Sequence, residues 1–504
     1  MSSRSSRRAF VLGMLALGLP VPAGADGIQG GLRDALGPRF DARPNPREPR
    51  RRRQRGPGVT DRLRHWNQIA VDASGVDHTP VPPGDPRVFG EQFGPGRSSR
   101  ALAIVHIAVF DAVNAVVGGF QSYTRLRAAS QDASVEAAIA VAAHDTLTAL
   151  FPSQKADFDA ELVEDLSALR DGRAKANGVT LGRAAAAAIL ARRANDGAAH
   201  PEPRIGIDYI TSDAPGKWRQ DPISQNPLAL GAHWGDVTPF VLRSGDQFRV
   251  PPPPDLDNRE YTGAYNEVKA VGGDGIVTPT VRTADQTLTG IFWAYDGTPT
   301  LCAPPRLYNQ IVLHIAEQRR TGGIELARLL ALVNVAIADA GVAIWESKYH
   351  YVFWRPVTGI RESDGNLRTP PDPTYSPLGA PASNLNGPNF TPPFPAYPSG
   401  HAGFGGALFQ ILRDFYRTDR IPFTFVSDEL NGETLDNEGN ARPLVPRSFS
   451  SLSEAEEENG QSRIYLGIHW AFDKTAGISQ GRRVADYVFQ HAFVPLRRTR
   501  SRPR

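Results

Sequence analysis

Apolar residues recur at helical spacing along most of this 504-residue chain. Between residues 100 and 117 they fall at Leu102, Val105, Val109, Ala112 and Val113, the period of a helix with one buried stripe. Segments 135–150 and 179–193 are alanine-rich and equally periodic. Pro152 closes the first, and Asn195-Asp196-Gly197 ends the second. Helical signal begins near Asp61. In the second half the pattern predicts helices near 258–270, 281–295, 304–319 and 323–350. After a proline-rich loop it predicts one opening at Ser399, one near Ser453 and a last one near Phe472. No segment alternates strictly between polar and apolar for long, so extensive sheet is not expected. The fold class that follows is all-α, with two packed helical bundles and long Pro/Gly-rich connections.

The length exceeds a usual single domain, and the chain divides by composition into four parts. Residues 1–25 read as an export signal. Ser6-Arg7-Arg8-Ala9-Phe10-Val11 is a twin-arginine pattern, Phe10 to Val21 a short apolar core, and Ala23-Gly24-Ala25 a small-residue cleavage site. The expected location is therefore outside the cytoplasm, periplasmic or secreted. Residues 26–58 are rich in Arg, Pro and Gly without apolar period, a flexible lead-in. Residues 59–257 form an N-terminal helical half and its connection, and 258–504 a C-terminal helical half that carries the candidate chemistry.

Charge and cysteine content narrow the function classes. Loss of residues 1–25 removes Arg4, Arg7 and Arg8 and no acid, so the formal charge of +3 falls to zero. That is no polycation built for nucleic acid. One cysteine, Cys302, excludes an intrachain disulfide and reads as a small buried hydrophobe. The nearly uncharged stretch 329–345 has the look of a membrane span, but Asn334 and Asp339 interrupt it. A buried core helix is the better reading, and no integral membrane span is expected.

Three short stretches carry the chemistry. Lys348-Tyr349-His350-Tyr351-Val352-Phe353-Trp354-Arg355-Pro356 holds one of only six lysines, with Arg355 seven positions on. Two helical turns would put both on one side, with Pro356 stopping the helix behind them. Pro398-Ser399-Gly400-His401 precedes an apolar helical run, so Ser399 is a good N-cap. The free N–H groups of that first turn, with Gly400 allowing close approach, favour an anion. In the third stretch Arg463 and His469 flank Gly467, and Asp473 stands one turn past His469, where a carboxylate can fix the imidazole tautomer. Each stretch has a blander reading: snorkelling cations, an ordinary cap, a core histidine satisfied by an aspartate. Together they supply three cations, two imidazoles, a hydroxyl and a glycine amide, the kit for a tetrahedral oxyanion.

These stretches resemble the pattern of the family uniting vanadium-dependent haloperoxidases with type 2 phosphatidic-acid and bacterial acid phosphatases. The chloroperoxidase-like branch looks closest. Phe394-Pro395-Ala396-Tyr397-Pro398-Ser399-Gly400-His401 resembles its loop, including the phenylalanine of the halide site, and Trp345 matches the tryptophan on that site's other wall. Asp296 resembles the aspartate that pairs with the third-stretch arginine. Trp66-Asn67-Gln68 and the run from His106 to Asn114 also look like haloperoxidase helices, and the likeness extends from about Asp61 onward.

The resemblance implies vanadate as cofactor, with His469 as the axial vanadium ligand. It implies that Lys348, Arg355, Ser399, Gly400 and Arg463 hold the equatorial oxygens and that His401 takes a proton from incoming peroxide. It further implies that Lys348 polarises the bound peroxide and that halide, chloride or bromide, is oxidised to hypohalous acid. The expected partners are hydrogen peroxide and halide, with a small organic acceptor possible. An acid phosphatase could use the same residues, with His469 forming a phosphohistidine, Asp473 orienting it and His401 protonating the leaving group. A non-catalytic oxyanion binder would not require His401 beside His469.

Overall fold

The computed structural model describes residues 58–380, 390–436 and 439–496. The expected export signal, and all of the lead-in but Gly58, lie outside them. The described residues form thirteen α-helices and one two-stranded antiparallel hairpin, so the chain is all-α as its periodicity predicts. In chain order the first five helices are α1 (Val59–Asp77), α2 (Gly94–Val117), α3 (Val135–Leu150), α4 (Lys155–Ser167) and α5 (Arg173–Arg193). After a long connection come α6 (Arg259–Val271), α7 (Ala284–Phe292), α8 (Pro305–Gln318), α9 (Gly323–Tyr351) and the short α10 (Pro356–Arg361). Then follow α11 (Gly400–Tyr416), strands β1 (Phe423–Asn431) and β2 (Leu444–Phe449), α12 (Leu452–Tyr465) and α13 (Ala471–His491).

Helix α9 is the axis of the molecule. It packs against α2 from the first half and against α11 and α13 from the second, and every residue from Leu326 to Trp345 is buried. Its two polar interruptions are satisfied from neighbouring segments. Asn334 exchanges 2.9 Å amide hydrogen bonds with Asn309 of α8. Asp339 accepts the backbone N–H groups of Phe240, Val241 and Leu242, which moors the long connection to the core. Helices α2 and α9 are both long and apolar enough to cross a membrane, but each lies mostly inside the protein. A helix apolar on all sides belongs at the centre of a large core.

Close approach of α11 and α13 sets the site. A Cβ on Gly481 would fall 2.0 Å from the Gly403 carbonyl oxygen, and one on Gly477 would fall 2.5 Å from that of Ser399. Only glycine lets the two backbones meet there, so the N-terminus of α11 lies beside the first turn of α13.

Several local expectations change. Helix α2 starts at Gly94 rather than residue 100, and α5 at Arg173 rather than 179, while the predicted helix at 281–295 shortens to Ala284–Phe292. Helix α4 and the hairpin were not expected. Most importantly, α9 ends at Tyr351, where Val352 turns left-handed (φ 54°, ψ 42°). Lys348 and Arg355 therefore do not share two turns of one helix. Arg355 is the N-cap of α10, and Pro356 opens that helix instead of stopping the previous one. The proline ring pre-sets the dihedral of a first helical residue and leaves no N–H unpaired there.

Candidate active site

The three stretches come together at the mutual ends of α9, α11, α12 and α13. Ser399 is the N-cap of α11, its hydroxyl accepting the Ala402 N–H at 3.4 Å. Gly400 and His401 are the first helical residues, with the Trp345 ring 3.4 Å from where a Gly400 side chain would begin. His469 stands just before α13, whose N-cap is Trp470. Gly400, His401, Arg463 and His469 line one cavity together with Trp345 and Phe394. Its space for the centres of water-sized molecules is about 90 Å³, where a single water needs roughly 10–15 Å³ on that measure.

Hydrogen bonds fix the tautomer of each histidine. The Asp473 carboxylate accepts from His469 Nδ1 at 2.8 Å and from the Trp470 N–H at 3.0 Å. The Nδ1 position thus carries the proton, and Nε2 keeps a lone pair, which accepts from Arg355 Nη1 at 3.0 Å. His401 Nε2 donates to the Ala294 carbonyl at 2.6 Å, which leaves its lone pair on Nδ1. Both imidazoles are held neutral: burial pushes their pKa values well below the usual range, and the nearby arginines and Lys348 push the same way.

The cations are buried and only partly satisfied. Lys348 Nζ donates to the Pro395 and Ala396 carbonyls at 2.7 and 2.9 Å, leaving one of its three protons. Arg355 donates through Nε to the Phe394 carbonyl and through Nη1 to the Ile468 carbonyl, 2.9 and 2.8 Å away. Arg463 is anchored by Nη2, which donates to both Asp296 oxygens at 2.9 and 2.7 Å. Arg355 Nη2, Arg463 Nε and Arg463 Nη1 are buried and have no partner among the described residues.

Three buried cations face two buried carboxylates. Burial and the adjacent Arg355 hold Lys348 well below its ordinary pKa, and burial draws Arg355 down to about 9. Burial also pushes Asp473 up to about 7 and raises Asp296, against the pull of Arg463. A bound anion would relieve the strain on the cations and satisfy the orphaned donors at once.

Of the eleven residues singled out in the sequence, Asp296, Trp345, Phe394, Gly400, His401, Arg463 and His469 line this cavity, and Lys348, Arg355, Ser399 and Asp473 stand directly beside them. Trp345 and Phe394 pack at an interplanar angle of 57° with ring centroids 4.9 Å apart, and Lys348 Nζ lies 5.8 and 5.1 Å from those centroids. Groups that sequence reasoning missed include the carbonyls of Ala294, Pro395 and Ala396, which carry no side-chain signal. Tyr308 and Asn459 were missed too. Both donate to the His401 carbonyl, at 3.0 and 2.9 Å, and fix the backbone of that residue from behind.

Comparison with known proteins decides the family. The chain is 30% identical to vanadium chloroperoxidase of Curvularia inaequalis over 494 residues, covering 83% of this chain and 80% of that one. It belongs to the vanadium haloperoxidase family. Residues 328–497 of this haloperoxidase match the family model described as the VCPO second helical-bundle domain. Among solved structures, a bacterial vanadium-dependent iodoperoxidase superposes with a TM-score of 0.69 at 23% identity, over 88% of this chain and 99% of that one. A holo-type bacterial vanadium-dependent chloroperoxidase superposes at 0.59 and 16% identity, over 84% and 96%. These last two likenesses establish the shared fold. The protein is a vanadium haloperoxidase enzyme.

Proposed function

We propose that this haloperoxidase holds vanadate around His469 and oxidises halide, chloride as well as bromide, to hypohalous acid with hydrogen peroxide. The observation that carries the cofactor assignment is the set of orphaned donors. Arg355 Nη2, Arg463 Nε and Arg463 Nη1 are buried without partners among the described residues, beside a neutral histidine that has a lone pair on Nε2. A tetrahedral oxyanion fits that set. In this reading His469 would bind the metal through Nε2, and Lys348, Arg355, Ser399, Gly400 and Arg463 would neutralise and hydrogen-bond the oxygens. Asp296 holds Arg463, and Asp473 holds His469.

Bound vanadate supplies a Lewis acid that polarises peroxide at a constant oxidation state. The chain supplies the rest. His401, neutral and with a lone pair on Nδ1, takes the proton of the incoming peroxide. Lys348 has one N–H left to meet negative charge developing in the pocket. Trp345 and Phe394 line the cavity beside it and would give a halide an apolar, water-poor wall. That aromatic pair and the relationship to a chloroperoxidase support chloride competence. We further propose export by the twin-arginine route, from the pattern at residues 6–25.

A phosphate ester presents the same oxyanion, so both chemistries belong in one test. Protein stripped of vanadate would be assayed with and without orthovanadate for peroxide-dependent chlorination and bromination of a dione dye, and for aryl-phosphate hydrolysis. Halogenation that appears only with vanadate is expected. Strong hydrolysis without vanadate, and no halogenation with it, would contradict the proposal.

A further inference from the structure

His401 Nε2 has two oxygens within reach, and their distances decide its partner. The Ala294 carbonyl oxygen is 2.6 Å away, and the nearer oxygen of Asp296 is 3.7 Å away. Only the first is a hydrogen bond. The other end of the same peptide group is also engaged. The Tyr295 N–H donates to Glu429 Oε1 at 2.9 Å, and Thr298 Oγ1 donates to that oxygen at 3.1 Å. Glu429 Oε2 pairs with Arg442. Glu429 has no exposed surface, and Arg442 is buried with it.

We propose that Glu429 is a positioning residue for His401, acting through the Ala294–Tyr295 peptide. It accepts that peptide's N–H while the peptide's carbonyl accepts the imidazole Nε2–H, so the lone pair stays on Nδ1. The N–H and C=O of a trans peptide point in opposite directions, so the two hydrogen bonds leave the peptide on opposite sides. Hydrogen bonds in series polarise one another in a low-dielectric interior. A carboxylate that accepts from the far nitrogen of a catalytic imidazole fixes its tautomer and stabilises its protonated form. Here one peptide group stands between the two.

Neighbours of Glu429 on β1 hold the same loop. Ser427 Oγ donates to the Phe292 carbonyl, and the Asp428 N–H donates to the Tyr295 hydroxyl, each at 2.7 Å. Tyr295 itself sits at a φ of 42°, a left-handed conformation that a non-glycine residue adopts only when its surroundings enforce it. The hairpin therefore imposes on residues 292–298 the shape that aims the Ala294 carbonyl at His401.

The inference rests on the reading of His401 as the acid–base, and its test separates the two. Full-length, vanadate-loaded enzyme labelled with nitrogen-15 histidine would be examined by two-bond correlation spectra, with the His401 signals identified by their loss in His401→Gln. The main variant is Glu429→Gln/Arg442→Leu, which removes both charges and leaves no buried arginine unpaired. Expected are a weakened Nε2–H signature at His401 and kcat/KM for peroxide lower by roughly ten- to hundredfold, the cost typical of losing such a partner. The KM for bromide should not move. Thr424→Val, which removes an exposed hydroxyl of the same strand that bonds Ser448 and not the relay, should stay within about twofold of wild type. A folded double variant with wild-type tautomer and wild-type turnover would overturn the proposal. If the double variant does not fold, Glu429→Asp decides, because it draws the carboxylate back while keeping the charge pair; an unchanged His401 spectrum there also overturns it. Full turnover by His401→Gln would instead remove the acid–base reading, and the tautomer signature of the Glu429 variants would still judge the relay.

Discussion

Replacing Asp473 with asparagine separates tuning of His469 from maintenance of the fold. Asp473 is wholly buried and accepts two N–H groups on one oxygen, those of His469 Nδ1 and Trp470. Asparagine is nearly isosteric and can offer its amide oxygen to the same donors, but without charge. A hydrogen bond to a charged group contributes about 1.5–3 kcal/mol, and replacing it with a neutral one forfeits much of that. Vanadate affinity should therefore fall by roughly ten- to hundredfold. Stability should move the other way. Burial raises the Asp473 carboxyl to about 7 in the folded protein, against about 3.9 for an unperturbed aspartate. The folded state then binds this proton more tightly than the unfolded state. Stability linked to it is greatest below pH of about 4 and is lost as pH climbs toward 7. At pH 8 the vanadate-free wild type carries that penalty and the asparagine variant does not. Calorimetric titration with orthovanadate at pH 8, with thermal denaturation of vanadate-free protein at pH 5 and pH 8, reads both effects. The variant should bind more weakly yet melt no lower at pH 8. Unchanged affinity, or a markedly lower melting temperature at pH 8, would refute the reasoning.

Three further outcomes are expected. His469→Ala should abolish vanadate retention on gel filtration while the far-ultraviolet circular dichroism stays that of wild type, because the side chain contributes one imidazole at a helix entrance. His401→Ala should keep vanadate but lose on the order of 10²–10⁴-fold in steady-state turnover, the usual worth of a general acid–base group; undiminished turnover would end that assignment. The enzyme should also withstand its own product. Both methionines, Met1 and Met14, lie within the first 25 residues, and the single cysteine, Cys302, is 1% exposed. Intact mass after extended turnover should show no sulfur oxidation in chains lacking those 25 residues, and Cys302 should react with a thiol reagent only after denaturation. Early oxidation of Cys302 would count against this.

The long helices were legible because their apolar stripes are deep. Helix α3 runs over the predicted span of 135–150, and α9 within one residue of 323–350. Helix α4 was not legible, since most of its Lys-Ala-Asp-Phe-Asp-Ala sequence faces solvent and only Phe158 and Asp165 are buried. The hairpin hid for a related reason. Phe423 and Phe425 point inward between exposed Thr424 and Val426, but that alternation breaks where Leu430 follows the fully buried Glu429. At the site, motif spacing identified the side chains but gave the wrong route for one of them. Arg355 reaches the pocket from the start of α10 because Val352 ends α9 with a left-handed turn, and no residue type announces that turn. Backbone carbonyls such as that of Ala294 are set by tertiary packing and have no signature in sequence at all.

The central claim is that His469 Nε2 binds the metal of an oxyanion held by Arg355 and Arg463. X-ray absorption at the vanadium edge, on wild type and His469→Ala loaded with orthovanadate, tests it most directly. One nitrogen neighbour in the vanadium shell of wild type, absent from the variant, is the predicted result. An all-oxygen shell in wild type, or the same shell in both proteins, would contradict it.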